Sequence, residues 1–541
     1  MLRSVTLAVF VGLFAPAFAA CGGSSGVVGP SPEGGATSDA TAETGTNGDT
    51  GTAVDAGSPA DGSPADAGSP PACASACTGG QVCIQGACAC PVYQSLCNGA
   101  CIATVNDPAN CGGCGTKCAS GQVCSAGACT SSCLPGLQAC GGQCVDTMTD
   151  NANCGGCNAP CGASEGCIWG TCGPATVKTS ASCQGGGSIP SVVLDGQTVC
   201  LGQLGATTFL PWGVCSCKDF QTDQDNVVID AYDSTKGPYS GPTMPGGNAG
   251  VDGYVNVNNP MNVTGALWVV GTSTESLDTR GLTVGGDLHV GSGTGATAGS
   301  VTAEGQVDVV GSAYATGGIQ TGDPFTIAGA LHQPAGATNS MSVTYGSLVP
   351  GPVDVAPPCA CGAADVVPIA SLVMAHQTAN DDNAIGLNPA LLDSNGQIAR
   401  LDLPCGSFYL STIAENQPVV VYVHGRVALY IGGDVASQVA FALDPTAELD
   451  VFVAGDLDIN QPVVIGSPSY PSLARLFVAG KVDVDSTLDV SGYLYAPNAT
   501  YDLNDTTTVY GGLFVGDFGG RDVFVHYDRA LLDPGPSCLG P

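Results

Sequence analysis

The chain has 541 residues, with 46 acidic against 12 basic residues and a formal net charge of −34, and it holds 80 Gly, 36 Pro and 29 Cys. A nucleic-acid binder needs clustered Lys and Arg to neutralise phosphates, and a polybasic membrane-surface protein needs them for anionic lipids, so this charge balance excludes both classes. The cysteines argue against a cytosolic enzyme, because most of them would stay as reactive thiols in a reducing compartment.

Residues 1–20 have the pattern of a signal peptide: a positively charged start, then an apolar run that is too short to span a bilayer and ends in small residues. Cleavage after Ala17-Phe18-Ala19 would release the protein. The alternative, Phe18-Ala19-Ala20-Cys21, resembles a bacterial lipobox, which implies acylation of Cys21. The lipoprotein is favoured, because it leaves 28 cysteines, an even number that can all pair. Gly22 resembles an outer-membrane sorting signal, so the expected location is the outer membrane, displayed at the cell surface.

Residues 21–72 are predicted to form a lipid-anchored, disordered linker. After Cys21 this stretch has no aromatic residue, no Lys and no Arg, and it consists mainly of Gly, Ser, Ala, Thr, Pro and acidic residues. Such a composition cannot bury enough apolar area to offset the loss of chain entropy. The prolines and the like charges keep the chain extended, so we expect a tether.

Residues 73–173 contain Cys-rich tandem repeats with a 43-residue period. Eight cysteines recur at identical spacing, and half a unit precedes them. The twenty disulfide candidates here are Cys73, Cys77, Cys83, Cys88, Cys90, Cys97, Cys101, Cys111, Cys114, Cys118, Cys124, Cys129, Cys133, Cys140, Cys144, Cys154, Cys157, Cys161, Cys167 and Cys172.

Disulfides are the favoured state of these cysteines, because the repeats hold only two aromatic residues, Tyr93 and Trp169, and cross-links must replace a core. Zinc is the alternative, since Cys111-x2-Cys114 and Cys154-x2-Cys157 have ligand spacing. Connectivity cannot be deduced from the spacing. The run N-C-G-G-C-G-x-x-C resembles the Cys-rich repeats of surface proteins in Gram-negative bacteria, which implies a stalk or interaction module without a catalytic role.

Residues 183–541 are predicted to be mainly β. Short strands of alternating apolar and polar residues are separated by Gly, and similar text returns every 18–25 residues with an aromatic residue at 430, 452, 477, 495 and 514. One turn of a β-solenoid has this length, and stacked turns bury what one turn cannot. A β-sandwich is the alternative fold.

An insertion at about 359–418 interrupts the strand pattern, with helical apolar spacing over 366–378. Eight further cysteines are expected to form disulfides that pin the ends and the insertion of the solenoid, with a C-x-C metal site as the alternative. They are Cys183, Cys200, Cys215, Cys217, Cys359, Cys361, Cys405 and Cys538.

The Gly-punctuated strands resemble bactofilin-like, polymer-forming β-solenoids. Residues 492–499, 511–514 and 525–531 resemble an uncharacterised C-terminal domain of bacterial surface lipoproteins and pilus-associated adhesins. The resemblance implies a β-solenoid and brings no catalytic residues. It also implies that exposed solenoid ends could self-associate.

Candidate chemistry is sparse in this sequence. The histidines at 289, 332, 376, 424 and 526 form no recognised catalytic motif, and His526 with Asp528 is expected to end a strand. Asp456, Asp458, Asp483 and Asp485 alternate on strands, so they are either solvated or weak Ca²⁺ candidates.

The function predicted from the sequence is that of a non-catalytic surface lipoprotein, structural or adhesive, that displays a β-solenoid head on a disulfide-rich stalk. No cofactor is expected apart from the weak Ca²⁺ candidates. The expected partners are the membrane, through the lipid anchor, and a surface glycan or protein. The alternative is a polysaccharide-binding or polysaccharide-degrading β-helix, because such scaffolds host carboxylate-lined sites.

Overall fold

The computed structural model describes residues 77–84, 87–177, 191–194, 197–200, 212–222, 226–271, 275–292, 299–393, 399–503 and 505–532. The predicted signal peptide (1–20), the linker (21–72) and Cys73, Cys183 and Cys538 lie outside these residues, as do the side chains of Cys83 and Cys200. Within the described ranges, no helix is both long and apolar enough to cross a membrane.

The Cys-rich repeats fold into small antiparallel hairpins, and one more hairpin follows them. Their strands are β1 (Val82–Ile84), β2 (Ala87–Ala89), β3 (Gln94–Cys97), β4 (Ala100–Ala103), β5 (Val123–Ser125), β6 (Ala128–Thr130), β7 (Gln138–Cys140), β8 (Gln143–Val145), β9 (Glu165–Ile168), β10 (Thr171–Val177), β11 (Ser191–Leu194) and β12 (Gln197–Cys200). The hairpins are the pairs β1–β2, β3–β4, β5–β6, β7–β8, β9–β10 and β11–β12.

Disulfides hold the repeats together, and their connectivity follows the 43-residue period. Each bond of the first full repeat returns in the second with both residue numbers raised by 43. The bonds are Cys77–Cys88, Cys90–Cys101, Cys97–Cys114, Cys111–Cys124, Cys118–Cys129, Cys133–Cys144, Cys140–Cys157, Cys154–Cys167 and Cys161–Cys172. The predicted disulfide framework is confirmed for these cysteines.

The described residues from Trp212 onward form a three-sided parallel β-solenoid in two stacks of turns. The first stack comprises β13 (Trp212–Ser216), β14 (Phe220–Thr222), β15 (Val227–Tyr232), β16 (Asn248–Val251), β17 (Val255–Val257), β18 (Met261–Val263), β19 (Leu267–Gly271), β20 (Glu275–Thr279), β21 (Leu282–Val284), β22 (Leu288–Ser292), β23 (Ser300–Ala303), β24 (Val307–Val309), β25 (Ala313–Ala315), β26 (Ile319–Thr321), β27 (Phe325–Gln333) and β28 (Val343–Pro350). Each of β13–β15 pairs in parallel with the strand three places later, which defines one turn.

The second stack contains the strands after the insertion. It comprises β29 (Arg400–Leu403), β30 (Gly406–Leu410), β31 (Val419–Val423), β32 (Arg426–Ile431), β33 (Val439–Leu443), β34 (Glu448–Val453), β35 (Leu457–Ile459), β36 (Val463–Gly466), β37 (Ala474–Val478), β38 (Val482–Val484), β39 (Leu488–Leu503), β40 (Thr507–Gly520) and β41 (Val523–Asp528). Short 3₁₀ helices lie at Ser234–Lys236, Pro471–Leu473 and Arg529–Leu532.

The two stacks join at a seam where the last strands of the solenoid pair with its first. Strand β40 pairs in parallel with β13 and β14, and β41 pairs with β15. The first stack therefore runs away from the seam and ends at β28, whereas the second stack begins with β29 at the opposite end of the solenoid and returns to the seam. At that far end β29 pairs with Ala175–Val177 of β10, so the strand that leaves the repeats forms the outermost turn.

A return segment, residues 351–393, carries the chain between the stacks. It contains helices α1 (Ile369–His376) and α2 (Asp382–Ile385). Two disulfides, Cys215–Cys359 and Cys217–Cys361, fasten it to β13 at the seam. Cys405 is also disulfide-bonded. Strands resume at Arg400, within the range of 359–418 expected for the insertion. Strands β29 and β30 are buried, but each is only four or five residues long and β29 carries two charged residues, so neither has a recognisable apolar pattern.

Two apolar layers bury the alternating strand residues. Inward residues such as Leu429 and Val451 fill the interior of the solenoid. Outward aromatic residues of the second stack form a ladder under α1, with ring centroids 4.8–5.7 Å apart between successive members. Its members are Tyr430, Phe452, Phe477, Tyr495 and Phe514. The aromatic residues that recur in the sequence thus form a column in the structure. The side of this column that faces away from the solenoid interior is buried by α1.

The repeats are packed on the solenoid, and here the predicted stalk is wrong for the described residues. Tyr93 and Val105 belong to the same core cluster as the solenoid interior. Because the disulfide-linked hairpins bury little apolar surface themselves, their large side chains gain more by packing on the solenoid.

Candidate functional site

The two aromatic residues of the repeats bind the solenoid. The Tyr93 hydroxyl lies 2.8 Å from the Oγ atoms of both Ser234 and Ser472, and burial raises its pKa well above the usual value. Trp169 Nε1 donates to the carbonyl of Val419 at 3.4 Å. Both residues have positive φ angles, 63° and 49°. This conformation is rare for bulky residues, so the packing that holds them is tight.

A buried arginine makes the second contact between the repeats and the solenoid. Arg400 is 1% exposed and bonds to Asp402, with Nη2 2.8 Å from Oδ1. Its Nη1 donates to the carbonyls of Thr149 and Cys167 in the second repeat, at 2.5 and 2.8 Å. A buried charge needs such partners on every side. Arg400 therefore fixes the last repeat against the outermost turn of the second stack.

A line of ionisable groups continues from Arg400 along the second stack. His424 lies between Asp402 and Asp444, at 3.5 and 2.9 Å. The hydrogen bonds that its imidazole donates to these carboxylates raise the pKa of His424 to about 9. Burial would raise the pKa of Asp402, but His424 and Arg400 hold it below its usual value. The charges are therefore paired with one another across successive turns.

The same arrangement holds Glu448 between two arginines. Arg426 Nη2 lies 2.9 Å from Glu448 Oε1 and Arg475 Nη2 lies 3.3 Å from Oε2. Burial opposes the charge of Glu448, yet the two arginines lower its pKa to about 2. Arg475 also bonds to Asp450. Three of the twelve Lys and Arg residues of the chain, Arg400, Arg426 and Arg475, thus pair with carboxylates in this line.

The seam contains a buried His–Asp pair that the sequence pattern did not reveal. His526 Nδ1 lies 2.9 Å from Asp230 Oδ1, and the hydroxyl of Tyr239 donates to Asp230 Oδ2 at 2.6 Å. Tyr239 stacks on the imidazole at 3.8 Å. His526 and Asp528 lie on strand β41, which ends at Asp528 as expected. The pair joins β15, in the first turn of the first stack, to β41, the last strand of the solenoid.

Asp528 bonds to Ser234 on the other side of the seam. Its carboxylate accepts from Ser234 N at 2.9 Å and from Ser234 Oγ at 2.6 Å. Burial raises the pKa of Asp528 to about 6. Since Ser234 also contacts Tyr93, one chain of hydrogen bonds connects the repeats, the first stack and the last strand.

The predicted Ca²⁺ candidates form other contacts. Asp458 and Asp483 are paired in register, and Lys481 Nζ lies 2.6 and 3.3 Å from their carboxylates. Asp456 Oδ1 accepts the backbone N–H of Lys481 at 2.9 Å. Asp485 lies exposed after β38. Calcium binding stays a prediction, and Lys481 would have to leave both carboxylates for an ion to enter.

Potential metal ligands among the described residues converge in three groups, and each contains disulfide-bonded cysteines. They are Cys111/Cys118/Cys129, Cys154/Cys161/Cys172 and Asp252/Cys359/Cys361. A disulfide sulfur is not a thiolate ligand. The zinc and C-x-C alternatives are therefore wrong for these cysteines as the structure has them.

A second column of rings lies half-exposed on the first stack and is the candidate binding surface. We call it the ring ladder, and it comprises Trp212, Trp268, His289, Tyr314 and His332. The last four occupy one register position in successive turns, with centroids 3.8–4.5 Å apart. Burial lowers the pKa of His289, which keeps its imidazole neutral near pH 7.

The ring ladder offers ring edges to a ligand, because neighbouring rings cover one another's faces. The edges of Trp, His and Tyr carry N–H and O–H groups that can donate or accept hydrogen bonds. Sequence reasoning missed this column, since Trp268, His289, Tyr314 and His332 are chemically dissimilar. Trp268, His289 and His332 each lie three residues after the repeated Gly (265, 286 and 329), and this shared position was the available signal.

The fold and these contacts define the class of protein: a parallel β-solenoid with a disulfide-rich module packed on its flank. Residues 369–533 match the family model described as "Domain of unknown function (DUF7305)", a range that runs from α1 through the whole second stack. Residues 125–175, within the repeats, match the model described as "Stigma-specific STIG1-like protein family". No curated protein and no solved structure matches the chain.

Proposed function

We propose that the chain is a non-catalytic, lipid-anchored protein of the bacterial cell surface, with a structural or adhesive role. The observation that carries this proposal is that the buried ionisable groups form structural contacts between segments of the fold. Arg400, Asp528 and His526 each bond across a boundary between segments of the fold. Their hydrogen bonds join the repeats to the second stack and the first stack to the last strand.

The disulfides support an extracytoplasmic location. Eleven of them are present among the described residues, and such bonds persist in oxidising compartments. The export pattern of residues 1–20, with Cys21 as the acylated residue, supplies the anchor in this proposal. Since the repeats pack on the solenoid, only the linker 21–72 separates them from the membrane.

Expression of the full chain in a Gram-negative host tests the anchor and the orientation. Globomycin should cause the unprocessed form to accumulate, and Cys21→Ser should abolish labelling with palmitate. Protease added to intact cells should remove epitopes of residues 212–532. A solenoid that is digested only after the outer membrane is broken would show that it faces the periplasm, and the surface role would then be excluded.

Polysaccharide binding is the second candidate function, and the ring ladder favours it. Its polar ring edges repeat with the spacing of the turns, which suits an extended polymer with repeated hydroxyl groups. Tyr314→Ala should weaken retention on immobilised polysaccharides. Tyr254→Ala is the matched control, because Tyr254 is half-buried and lies on another face. Equal retention of both variants would exclude the ring ladder as the binding surface.

A further inference from the structure

The last turn of the first stack leaves the interior of the solenoid open. Strand β28 places Tyr345 on Ile327 and Leu348 on Leu331. Ile327 and Leu331 are 1% and 0% exposed, whereas Tyr345 and Leu348 are 39% and 46% exposed. These two residues hold interior positions, so their exposure means that no further layer of described residues lies above them.

Strand β28 also has a free hydrogen-bonding edge. Within the described residues it pairs with β27 alone. Natural proteins protect such edges with charged side chains, prolines or bulges. Here residues 338–350 contain no charged residue in a chain with a net charge of −34, and Pro350 lies only at the end of the strand. Charge repulsion between two copies is therefore weakest at this end.

The opposite end is covered. Strand β10 pairs with β29 there, and β10 continues from the disulfide-linked hairpin of the second repeat. Arg400 and Trp169 fasten that repeat in place. One solenoid end is thus closed by the chain itself. At the other end, no described segment covers β28, which exposes apolar residues and carries no charge.

We propose that the open end binds the open end of a second copy of this chain, which forms a two-fold dimer. This proposal is independent of the surface role and of the lipid anchor. Because the covered end cannot take part, association stops at two copies and does not continue into a filament. The exposed interior residues of both copies would then form one continuous core.

The shape of β28 fits a two-fold arrangement. The strand turns a corner at Gly346, with 343–345 on one face of the solenoid and 347–350 on the next. A two-fold axis beside this corner places residues 343–345 of one copy antiparallel to residues 347–350 of the other. Opposed residues in an antiparallel pair point to the same side. If residues that face the solenoid interior are to oppose one another across the interface, Tyr345 of one copy must lie opposite Leu348 of the second copy.

Sedimentation velocity of the full chain carrying Cys21→Ser, which removes the acylation site, tests the dimer. The expected result is a concentration-dependent monomer–dimer equilibrium. Leu348→Lys, which places a charge on the exposed interior, should weaken dimerisation at least tenfold, or about 1.4 kcal/mol. Met374→Lys is the matched control, because Met374 is also exposed and apolar but lies on α1. It should leave the equilibrium unchanged.

Two results would overturn the proposal: a wild-type chain that stays monomeric at all concentrations, or a Leu348→Lys variant that dimerises like wild type. Species that grow beyond two copies would also contradict it, since they require a second binding end. Should Leu348→Lys lose the thermal transition of the wild type, Val349→Lys on the same strand serves instead. Val349 is 42% exposed, and its substitution leaves the interior residues in place.

Discussion

Phe220 and Phe518 stack face to face, with ring centroids 4.5 Å apart and planes 10° from parallel, although one belongs to the first turn of the solenoid and the other to its last strands. Each is 1% exposed. Their contact lies at the seam, where two stacks that the return segment separates in sequence become one solenoid. The stability of the seam can be tested through these residues.

Phe518→Ala should lower the free energy of unfolding by about 3–5 kcal/mol, the cost of emptying a buried aromatic site. Phe524→Ala is the control, because Phe524 lies on β41 with its side chain half-exposed. Its truncation should cost less than half as much. Urea unfolding under non-reducing conditions measures both values. Equal losses would mean that the seam contributes no more than a surface contact.

Arg400→Ala should destabilise the protein by about 3–5 kcal/mol, because it leaves Asp402 buried without its main partner. It should also release the second repeat, which makes the segment 146–172 sensitive to protease. Arg280→Ala is the control. The Arg280–Glu304 pair is 3.5 Å apart and largely exposed, so its loss should cost about 1 kcal/mol or less. Protease resistance equal to wild type in Arg400→Ala would contradict the fastening role.

The two disulfides between β13 and the return segment should be redundant. Cys215–Cys359 and Cys217–Cys361 close nearly the same loop, each with a sequence separation of 144. Replacing either pair by alanine should cost about 1 kcal/mol, whereas replacing both should cost about 4–5 kcal/mol through loop entropy. Denaturant unfolding of the two double variants and the quadruple variant measures this coupling. Additive losses would show that the bonds act independently.

Acid should stabilise the seam through Asp528. Its pKa is raised to about 6 in the folded protein, whereas an unfolded Asp has a pKa near 3.9. The folded state therefore binds the proton more tightly, and the free energy of unfolding should rise as pH falls from about 6 to 4. Asp528→Asn should flatten this part of the pH profile. A profile identical to that of wild type would locate the titration elsewhere.

His424 should stabilise the folded protein at neutral pH and lose this effect at alkaline pH. Its pKa of about 9 in the folded protein lies above the unfolded value near 6.5. Its contribution is complete below about pH 6.5 and is lost as pH rises through 9. Because the side chain is 44% exposed, solvent screening keeps the effect small. His424→Gln should remove the loss of thermal stability between these values, while His376→Gln, whose ring stacks on Tyr430 without a carboxylate partner, should retain it.

Repetition explains which features could be predicted from the sequence. The column from Tyr430 to Phe514 repeats its text with each turn, so periodicity alone identified the solenoid. The helix at Ile369–His376 followed from apolar spacing. Even cysteine counts and a 43-residue period indicated disulfides, but not which cysteines pair, because many pairings share the same spacing.

Features made by contacts between dissimilar segments could not be predicted. The seam pairs β13 with β40, and their sequences share no repeated text. Tyr93 and Trp169 look like isolated aromatic residues in a disulfide module, and only their neighbours Ser472 and Val419 show that they bind the solenoid. Arg400 and Asp402 alternate on a short strand like solvated residues, yet both are buried because the second repeat covers them.

The order of the strands has a consequence for how the protein is made. Strands β13–β15 are synthesised early, but their partners β40 and β41 are synthesised last. Likewise, β29 of the second stack pairs with β10, which is synthesised before the whole of the first stack. A chain that folds during its synthesis must therefore keep two strand edges unpaired until nearly all of it has been made. Pairing of β40 and β41 with β13–β15 is then the step that completes the solenoid. A chain truncated before β40 would leave the edge of β13–β15 exposed to chaperones and proteases.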